Sequence, residues 1–298
     1  YPIFIGLGLS RVTATAVIGT NGCLDLGPAS GNSVLAAKYA GMTPVEYFMN
    51  FQLAQAIGIT IVVAICHYFL QPMYAKKYDG GLLQPVDEEA LAGLNKEKPL
   101  PPLYYGLLPT IPLILVMLFG YFKFRGINME ITSAMLIGLF VTMAIEFARC
   151  RDLKKVLGSI QEFFDGMGKQ FAMVVTLIVA GETFAHGLKV LGAIDTMIGG
   201  AQAAGFGTTG MIITMSAIII VSSLVMGSGN APFFAFSAFA PDVAKKLGVE
   251  SVNLLLPMQL SASVTRAMSP ITAVIVAICG VAGVSPFDVV RRTAVPLS

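Results

Sequence analysis

Three short polar segments interrupt the most apolar parts of the chain: LGPASGNS at 26–33, GSGN at 227–230 and RAMSPIT at 266–272. Their residue types suit the binding of an anion. Where a helix stops inside a bilayer, its free backbone N–H groups carry about half a positive charge and can hold an anionic group, while free carbonyls at the opposite kind of end can hold a cation. Glycine lets a ligand approach the backbone closely, and Ser, Thr and Asn add directed donors. The candidate substrate-binding residues are therefore Pro28, Ala29, Ser30, Gly31 and Asn32 in the first segment. In the second they are Ser228, Gly229, Asn230 and Ala231, and in the third Arg266, Ser269, Pro270 and Thr272. Aligned on Pro28 and Pro270, LGPASGNSVLAA and MSPITAVIVAIC share a proline, a spacer, a hydroxyl (Ser30, Thr272) and an apolar run. They read as corresponding helix breaks in two halves of one molecule, the sequence pattern of a midplane transport site. The bland alternative is a set of kinks packed by small residues with no ligand, since Gly and Pro are frequent in membrane helices.

Other chemistry-bearing residues are scattered. Arg266 lies within an apolar run, where a charge is costly and calls for a partner; it reads as a carboxylate ligand, a clamp on the break, or a structural pair with backbone carbonyls. Arg11 and Asp25 flank the first apolar helix, and Asp25 could face a cation or an arginine. Glu182 and His186 share a helical face, but Lys189 soon follows, so the pair reads as structural and near the membrane surface. His67, a few residues before Tyr74 and Lys76, reads as interfacial, and Phe233, Phe234, Phe236 and Phe239 as packing. No HExxH, GxSxG or GxxxxGK[ST] motif is present, and two histidines far apart give little material for a metal site or a triad. Cys23, Cys66, Cys150 and Cys279 are isolated and form no CxxC, as buried small hydrophobes do.

The elements that must carry these residues follow from composition. The chain is 55% hydrophobic and 12% charged, about half the charged share of ~25% usual in soluble domains, and its mean hydropathy is +0.77. Windows free of Asp, Glu, Lys and Arg run over 47–75, 99–122, 196–241 and 267–287. A spanning helix takes about 20 apolar residues, so the chain reads as an all-α polytopic membrane protein. The expected order is a broken helix over 1–41, a scaffold helix over 45–74 and a Gly/Pro-rich linker over 75–102. Scaffold helices over 103–148, an interfacial amphipathic helix over 150–168 and a helix over 169–192 follow. The window 196–241 is too long for one crossing and poorly suited to two, which predicts a re-entrant hairpin over 206–241 with GSGN at its tip. A broken helix over 251–284 and the start of a last helix over 287–298 complete the order. Eleven Lys and Arg fall on the side of the linker against six on the other, which predicts a cytoplasmic linker by the positive-inside rule. A net charge of +2 without a basic run excludes nucleic acid as an evident partner. Residue 1 is Tyr and the chain stops where another helix is starting, so a fragment of a longer protein is expected.

The segments MGSGNAPF (226–233), RAMSP (266–270) and SPFDVVRRT (285–293) resemble the anaerobic C4-dicarboxylate carriers of the DcuC type, within the larger ion transporter superfamily. The resemblance implies two inverted repeats, each with a re-entrant hairpin and a broken helix, in an elevator-type homodimer of the bacterial inner membrane. By that likeness LGPASGNS is the first broken helix, VMGSGNAPF the second hairpin and RAMSPIT the second broken helix, while the first repeat's hairpin would precede residue 1. The implied substrate is a small organic dianion such as succinate, fumarate or malate. No cofactor is implied, and the coupling mode stays open between exchange, H⁺ symport and Na⁺ symport. The alternatives are a carrier of the same architecture for a monocarboxylate, amino acid or peptide-like solute, and, more remotely, an intramembrane enzyme or channel.

Overall fold

The computed structural model describes residues 1–81, 102–122, 126, 129–192, 196, 199–200 and 207–297. All but the two ends of the expected linker therefore lie outside the described residues. Among the described residues the regular structure is helical, with no strand. Five helices are long and apolar enough to cross a bilayer, as in a polytopic membrane protein. The chain divides into two compact units, Tyr1–Glu97 with Ala180–Ser298, and Lys98–Val179.

The first unit opens with α1 (Pro2–Gly6) and α2 (Arg11–Cys23), the latter capped by Ser10, whose hydroxyl accepts from the Thr13 N–H at 3.2 Å. After a break, α3 (Gly31–Ala40) ends on Gly41, which adopts the left-handed conformation of a helix C-terminus. The long α4 (Pro44–Tyr78) starts with Pro44 in its first turn and a capping box in which Thr43 and Glu46 each engage the other's backbone. It contains a π turn at Phe48–Gln52. Ile57, Ile61, Ile65 and Phe69 are exposed on one side of it, whereas Val63, His67, Gln71 and Ala75 are buried at four-residue intervals on another. The exposed side suits lipid, and the buried stripe packs against other helices of the unit.

The remaining elements of this unit are α8 (Thr208–Met226), α9 (Asn230–Ser237), α10 (Ala240–Leu247), α11 (Val252–Arg266), α12 (Ala273–Ala282) and α13 (Pro286–Leu297). Ala16 of α2, Ile275 and Cys279 of α12, Val289 of α13 and Ala267 form one buried cluster. Small residues make the approach possible: a Cβ on Gly19 would stand 2.8 Å from Ile275 Cδ1. Phe233, Phe234 and Phe239 are buried, and Phe236 meets Phe184 edge to face with ring centroids 6.0 Å apart, so these rings pack the short α9 as expected.

The second unit holds α5 (Tyr104–Tyr121), α6 (Ile131–Cys150) and most of α7 (Leu153–Val190). Gly138 lets α6 approach α5, since a Cβ there would lie 2.7 Å from Pro112 Cγ. Tyr105 donates a hydrogen bond to Glu146, which also pairs with Arg149 at 3.1 Å. The sequence separates an interfacial helix at 150–168 from a span at 169–192, but α7 runs through both without interruption. The stripe Val156, Leu157, Ile160, Phe163, Phe164 and Met167 is the first half of one long helix. No proline stands between 153 and 190, and isolated glycines cost about 1 kcal/mol each without ending a helix.

Candidate functional site

The polar segments are interruptions between helices, and three of them converge. The first separates α2 from α3 over 24–30, the second separates α8 from α9 over 227–229, and the third separates α11 from α12 over 267–272. Each is followed by a helix whose N-cap makes no side-chain capping bond: Ser30 for α3, Gly229 for α9 and Thr272 for α12. First-turn N–H groups have no partner within their own helix, so the three starts present donors of the kind that hold anions.

Specific contacts tie these segments together. Asn32 donates from Nδ2 to Asn230 Oδ1 at 3.1 Å, joining α3 to the start of α9. Arg266 Nη1 stands 3.5 Å from Asp25 Oδ2, joining the two helix breaks; both side chains are partly buried, 17% and 28% exposed. Ser269 donates to the Leu224 carbonyl at 3.0 Å, which pins the third break to the last turn of α8. Thr272 donates to the Arg266 carbonyl at 2.7 Å, closing the break over itself. Ser228 Oγ accepts from the Ala231 N–H at 3.5 Å, and Ser30 Oγ donates to the Asp25 carbonyl at the same distance.

Close approach of backbones explains the glycines. Gly227 has φ +63°, and a Cβ on it would sit 2.6 Å from Ile271 Cγ1. A Cβ on Gly229 would come within 2.1 Å of the Ala262 carbonyl oxygen. Gly31 is looser, with Phe234 Cζ at 3.6 Å from such a Cβ. Pro28, Asn32, Ser269 and Thr272 are buried, Ser30, Ser228, Asn230, Ala231, Arg266 and Pro270 are half-buried, and Ala29 and Gly31 are exposed. The arrangement thus brings Asn32, Asn230, Arg266 and Ser269 into one region with Asp25, while Pro28, Ala29 and Pro270 make no polar side-chain contact by their nature. Arg266 is paired with a carboxylate, so the structural pairing with backbone carbonyls considered from sequence is replaced by an ion pair.

Behind Asn32 runs a buried polar chain that sequence reasoning did not single out. Tyr47 Oη donates to Gln259 Oε1 at 3.1 Å, Gln259 Nε2 to Ser33 Oγ at 2.9 Å, and Ser33 Oγ to Gln52 Oε1 at 3.0 Å. All four residues are at most 1% exposed. The chain fixes α3 against α11 and the π turn of α4, and so fixes the position of Asn32. The unpartnered buried atoms include Asn32 Oδ1 and the hydroxyls of Ser223 and Ser263, on α3, α8 and α11. Such orphaned groups are uncommon in folded proteins and concentrate where a ligand or water binds.

Elsewhere the expected roles change or hold. Glu182 pairs with Lys38 at 2.9 Å and accepts from Tyr39 Oη at 3.1 Å, so it is tied to α3, while His186 is exposed. His67, expected near a membrane surface, is buried among helices. It is 8% exposed and hydrogen-bonded to Thr20 and Gln71. Arg292, counted from sequence among the eleven Lys and Arg on the linker side, is 3% exposed and forms a two-bond pair with Asp79, at 2.9 and 2.6 Å. The period-four stripe 63, 67, 71, 75 on α4 was the sequence signal for His67; for Arg292 the sequence carried none, because its partner is 213 residues away.

The chain matches the profile of the C4-dicarboxylate anaerobic carrier (DcuC) family over residues 1–298. It is 33% identical over 298 residues to a probable anaerobic C4-dicarboxylate transporter DcuC of Vibrio cholerae, covering all of this chain and 63% of that one. It is 32% identical over 299 residues to the anaerobic C4-dicarboxylate transporter DcuC of Escherichia coli K12, covering all of this chain and 62% of that one. A putative uncharacterized transporter of Haemophilus influenzae is 28% identical over 283 residues, covering 90% of this chain and 94% of the relative. The chain therefore spans a little under two thirds of the length of the named dicarboxylate transporters it matches. No solved structure matches it. The whole-length profile match and the identity to the curated transporters place the chain in the DcuC family of C4-dicarboxylate anaerobic carriers.

Proposed function

We propose that the protein is a secondary active transporter of C4-dicarboxylates such as succinate, fumarate and malate, multi-pass in the bacterial inner membrane. The observation that carries the reading is the meeting of the three interruptions, joined by the Asn32–Asn230 bond and the Asp25–Arg266 pair. A dianion with two separated carboxylates needs two donor groups that face each other. Helix starts after two matching breaks, with an arginine and two asparagines between them, supply that chemistry. In this reading α8 and α9 form a re-entrant hairpin, α2–α3 and α11–α12 are the broken helices of two inverted repeats, and the protein works as an elevator within a homodimer. Alternating access comes from movement of the substrate-binding elements against the scaffold helices over 103–148, with the linker on the cytoplasmic side; the helix over 45–74, expected from sequence to belong to the scaffold, is bonded to α3 through Gln52 and in this reading moves with the binding elements. The family's relatives support transport over catalysis, and no cofactor enters the cycle.

Uptake of labelled succinate by proteoliposomes holding the full-length parent protein tests this directly. Saturable uptake stimulated by succinate preloaded inside is the expected result. No uptake from a folded preparation, with proton and Na⁺ gradients also supplied, would overturn the dicarboxylate assignment; inhibition by monocarboxylates or amino acids, with none by succinate, would transfer it to those solutes.

Two substitutions probe the pocket in the same assay. Asn230→Ala removes a donor and the partner of Asn32, and is expected to weaken apparent succinate affinity by about 1–3 kcal/mol. An unchanged affinity with normal membrane insertion would remove Asn230 from the site. Arg266→Lys keeps the charge and loses the planar fork, and is expected to weaken affinity roughly tenfold, a loss of about 1.4 kcal/mol. Full retention of affinity would argue against fork recognition of a carboxylate at Arg266.

A further inference from the structure

We propose that His67 is a proton-binding site of the transport cycle, loaded and unloaded at Nδ1 as the Gln71 amide turns over. The inference rests on the transport reading above and adds to it the coupling ion and the residue that carries it. His67 Nε2 lies 3.1 Å from Thr20 Oγ1, and the Thr20 hydroxyl donates its own proton to the Ala16 carbonyl at 2.9 Å. Thr20 therefore accepts, and Nε2 carries the hydrogen. Gln71 Nε2, 2.9 Å from His67 Nδ1, donates to it, and also donates to the Arg292 carbonyl at 3.4 Å. The ring is thereby the neutral Nε2–H tautomer, with both nitrogens satisfied.

A second observation points to the other protonation state. Gln71 Oε1 is buried and has no hydrogen-bond partner among the described residues, in a residue only 3% exposed. A half-turn of the amide presents this idle acceptor to Nδ1, which is what a protonated ring requires. The same turn withdraws the N–H from the Arg292 carbonyl, so loading His67 changes the contact between α4 and α13. The imidazole thus has a prepared partner for each state, and the switch between them acts on the packing of two helices.

His67 borders a cavity of about 890 Å³ with a mainly apolar lining, among whose polar residues are Thr60 and Gln71 of α4 and Thr13, Thr20 and Asn21 of α2. Leu24, the neighbour of Asp25 in sequence, also lines it. Other titratable groups around His67 do not offer the same chemistry. Arg292 and Asp79 are committed to each other, and Arg291 lies over the Tyr78 ring at 5.1 Å. Arg11 and Asp288 stand in the first turns of α2 and α13, and Tyr68 lines the cavity next to His67 in sequence. A positive ring in the same unit as a bound dianion is favoured by the dianion, and by linkage the proton then favours the dianion to the same degree.

The test uses proteoliposomes of the full-length parent protein and labelled fumarate, between about pH 6 and pH 8, where a histidine titrates. Two rates are read: counterflow against internal fumarate at equal pH, and net uptake driven by external acid. The unaltered protein is expected to show both. His67→Gln, which can hydrogen-bond but cannot carry the proton, is expected to lose at least about tenfold of acid-driven net uptake and to make whatever counterflow it keeps independent of pH across that range. Retained acid-driven uptake in the variant would overturn the proposal, and so would counterflow with the same pH dependence as that of the unaltered protein. Counterflow by the unaltered protein with no response to the acid gradient would overturn it as well, while leaving the transport reading intact. Absence of counterflow in the unaltered protein would overturn the transport reading and this proposal with it.

Discussion

Replacing Arg292 by leucine is expected to destabilise the full-length parent protein by about 3–5 kcal/mol, because it strands the Asp79 carboxylate in a buried position. Arg292 is 3% exposed and Asp79 side-chain exposure is 10%. The two guanidinium nitrogens reach the two carboxylate oxygens at 2.9 and 2.6 Å, in the parallel two-bond geometry that makes arginine pairs strong. Ser10 donates to the same carboxylate at 2.6 Å, and Arg292 also donates to Thr13 at 3.0 Å. One cluster thus fastens the start of α2, the end of α4 and the middle of α13. The paired substitution Asp79→Leu with Arg292→Leu should recover most of the loss, since a buried pair often roughly breaks even against apolar side chains of similar size. Thermal unfolding in detergent would check both. A single variant that melts with the unaltered protein would show that water or lipid headgroups already solvate the carboxylate.

What the sequence disclosed depended on the range of the interactions that decide each feature. The interruptions over 24–30, 227–229 and 267–272 overlap the three polar segments picked from the sequence, because Gly, Pro and hydroxyl residues act on the backbone within a few residues. The apolar spans were legible for the same reason: length and hydropathy are local quantities. The continuity of α7 was not, since charges at 149–155 and glycines at 158, 166 and 168 imitate a boundary that the backbone does not need. The burial of His67 was not read from the sequence: its neighbours along the chain, Tyr74 and Lys76, suggest a membrane-surface marking, whereas its contacts come from Thr20 on α2 and, through Gln71, the Arg292 carbonyl on α13. The partners within the candidate site are harder still to read. Asn32 and Asn230 are 198 residues apart, and nothing in either segment names the other. That polar segments of these types would meet was an inference from matching helix breaks in two halves of the chain, the pattern of a midplane transport site.

Gly229→Ala is expected to abolish transport by the full-length parent protein while leaving its membrane insertion intact. The added Cβ would lie 2.1 Å from the Ala262 carbonyl oxygen, 2.8 Å from its carbon and 2.8 Å from Arg266 Cδ. Two of those three atoms are backbone in the middle of α11, which cannot swing aside as a side-chain tip can. The strain of overpacking, typically about 1–3 kcal/mol, is relieved by moving the start of α9 away from α11. That movement separates Asn230 from Asn32, which sit at 3.1 Å, and shifts Arg266 relative to Asp25. Both side-chain pairs that join the interruptions, Asn32–Asn230 and Asp25–Arg266, are therefore touched by one methyl group. Gly58→Ala is the control, since a Cβ at that exposed position of α4 meets nothing within 4 Å. There the change should be neutral or stabilise slightly, by up to about 1 kcal/mol. Succinate counterflow at background for Gly229→Ala and at the unaltered rate for Gly58→Ala is the expected pair of results. Normal counterflow by Gly229→Ala would mean that α9 and α11 are not in close contact during transport, and the site would have to be sought away from the GSGN segment.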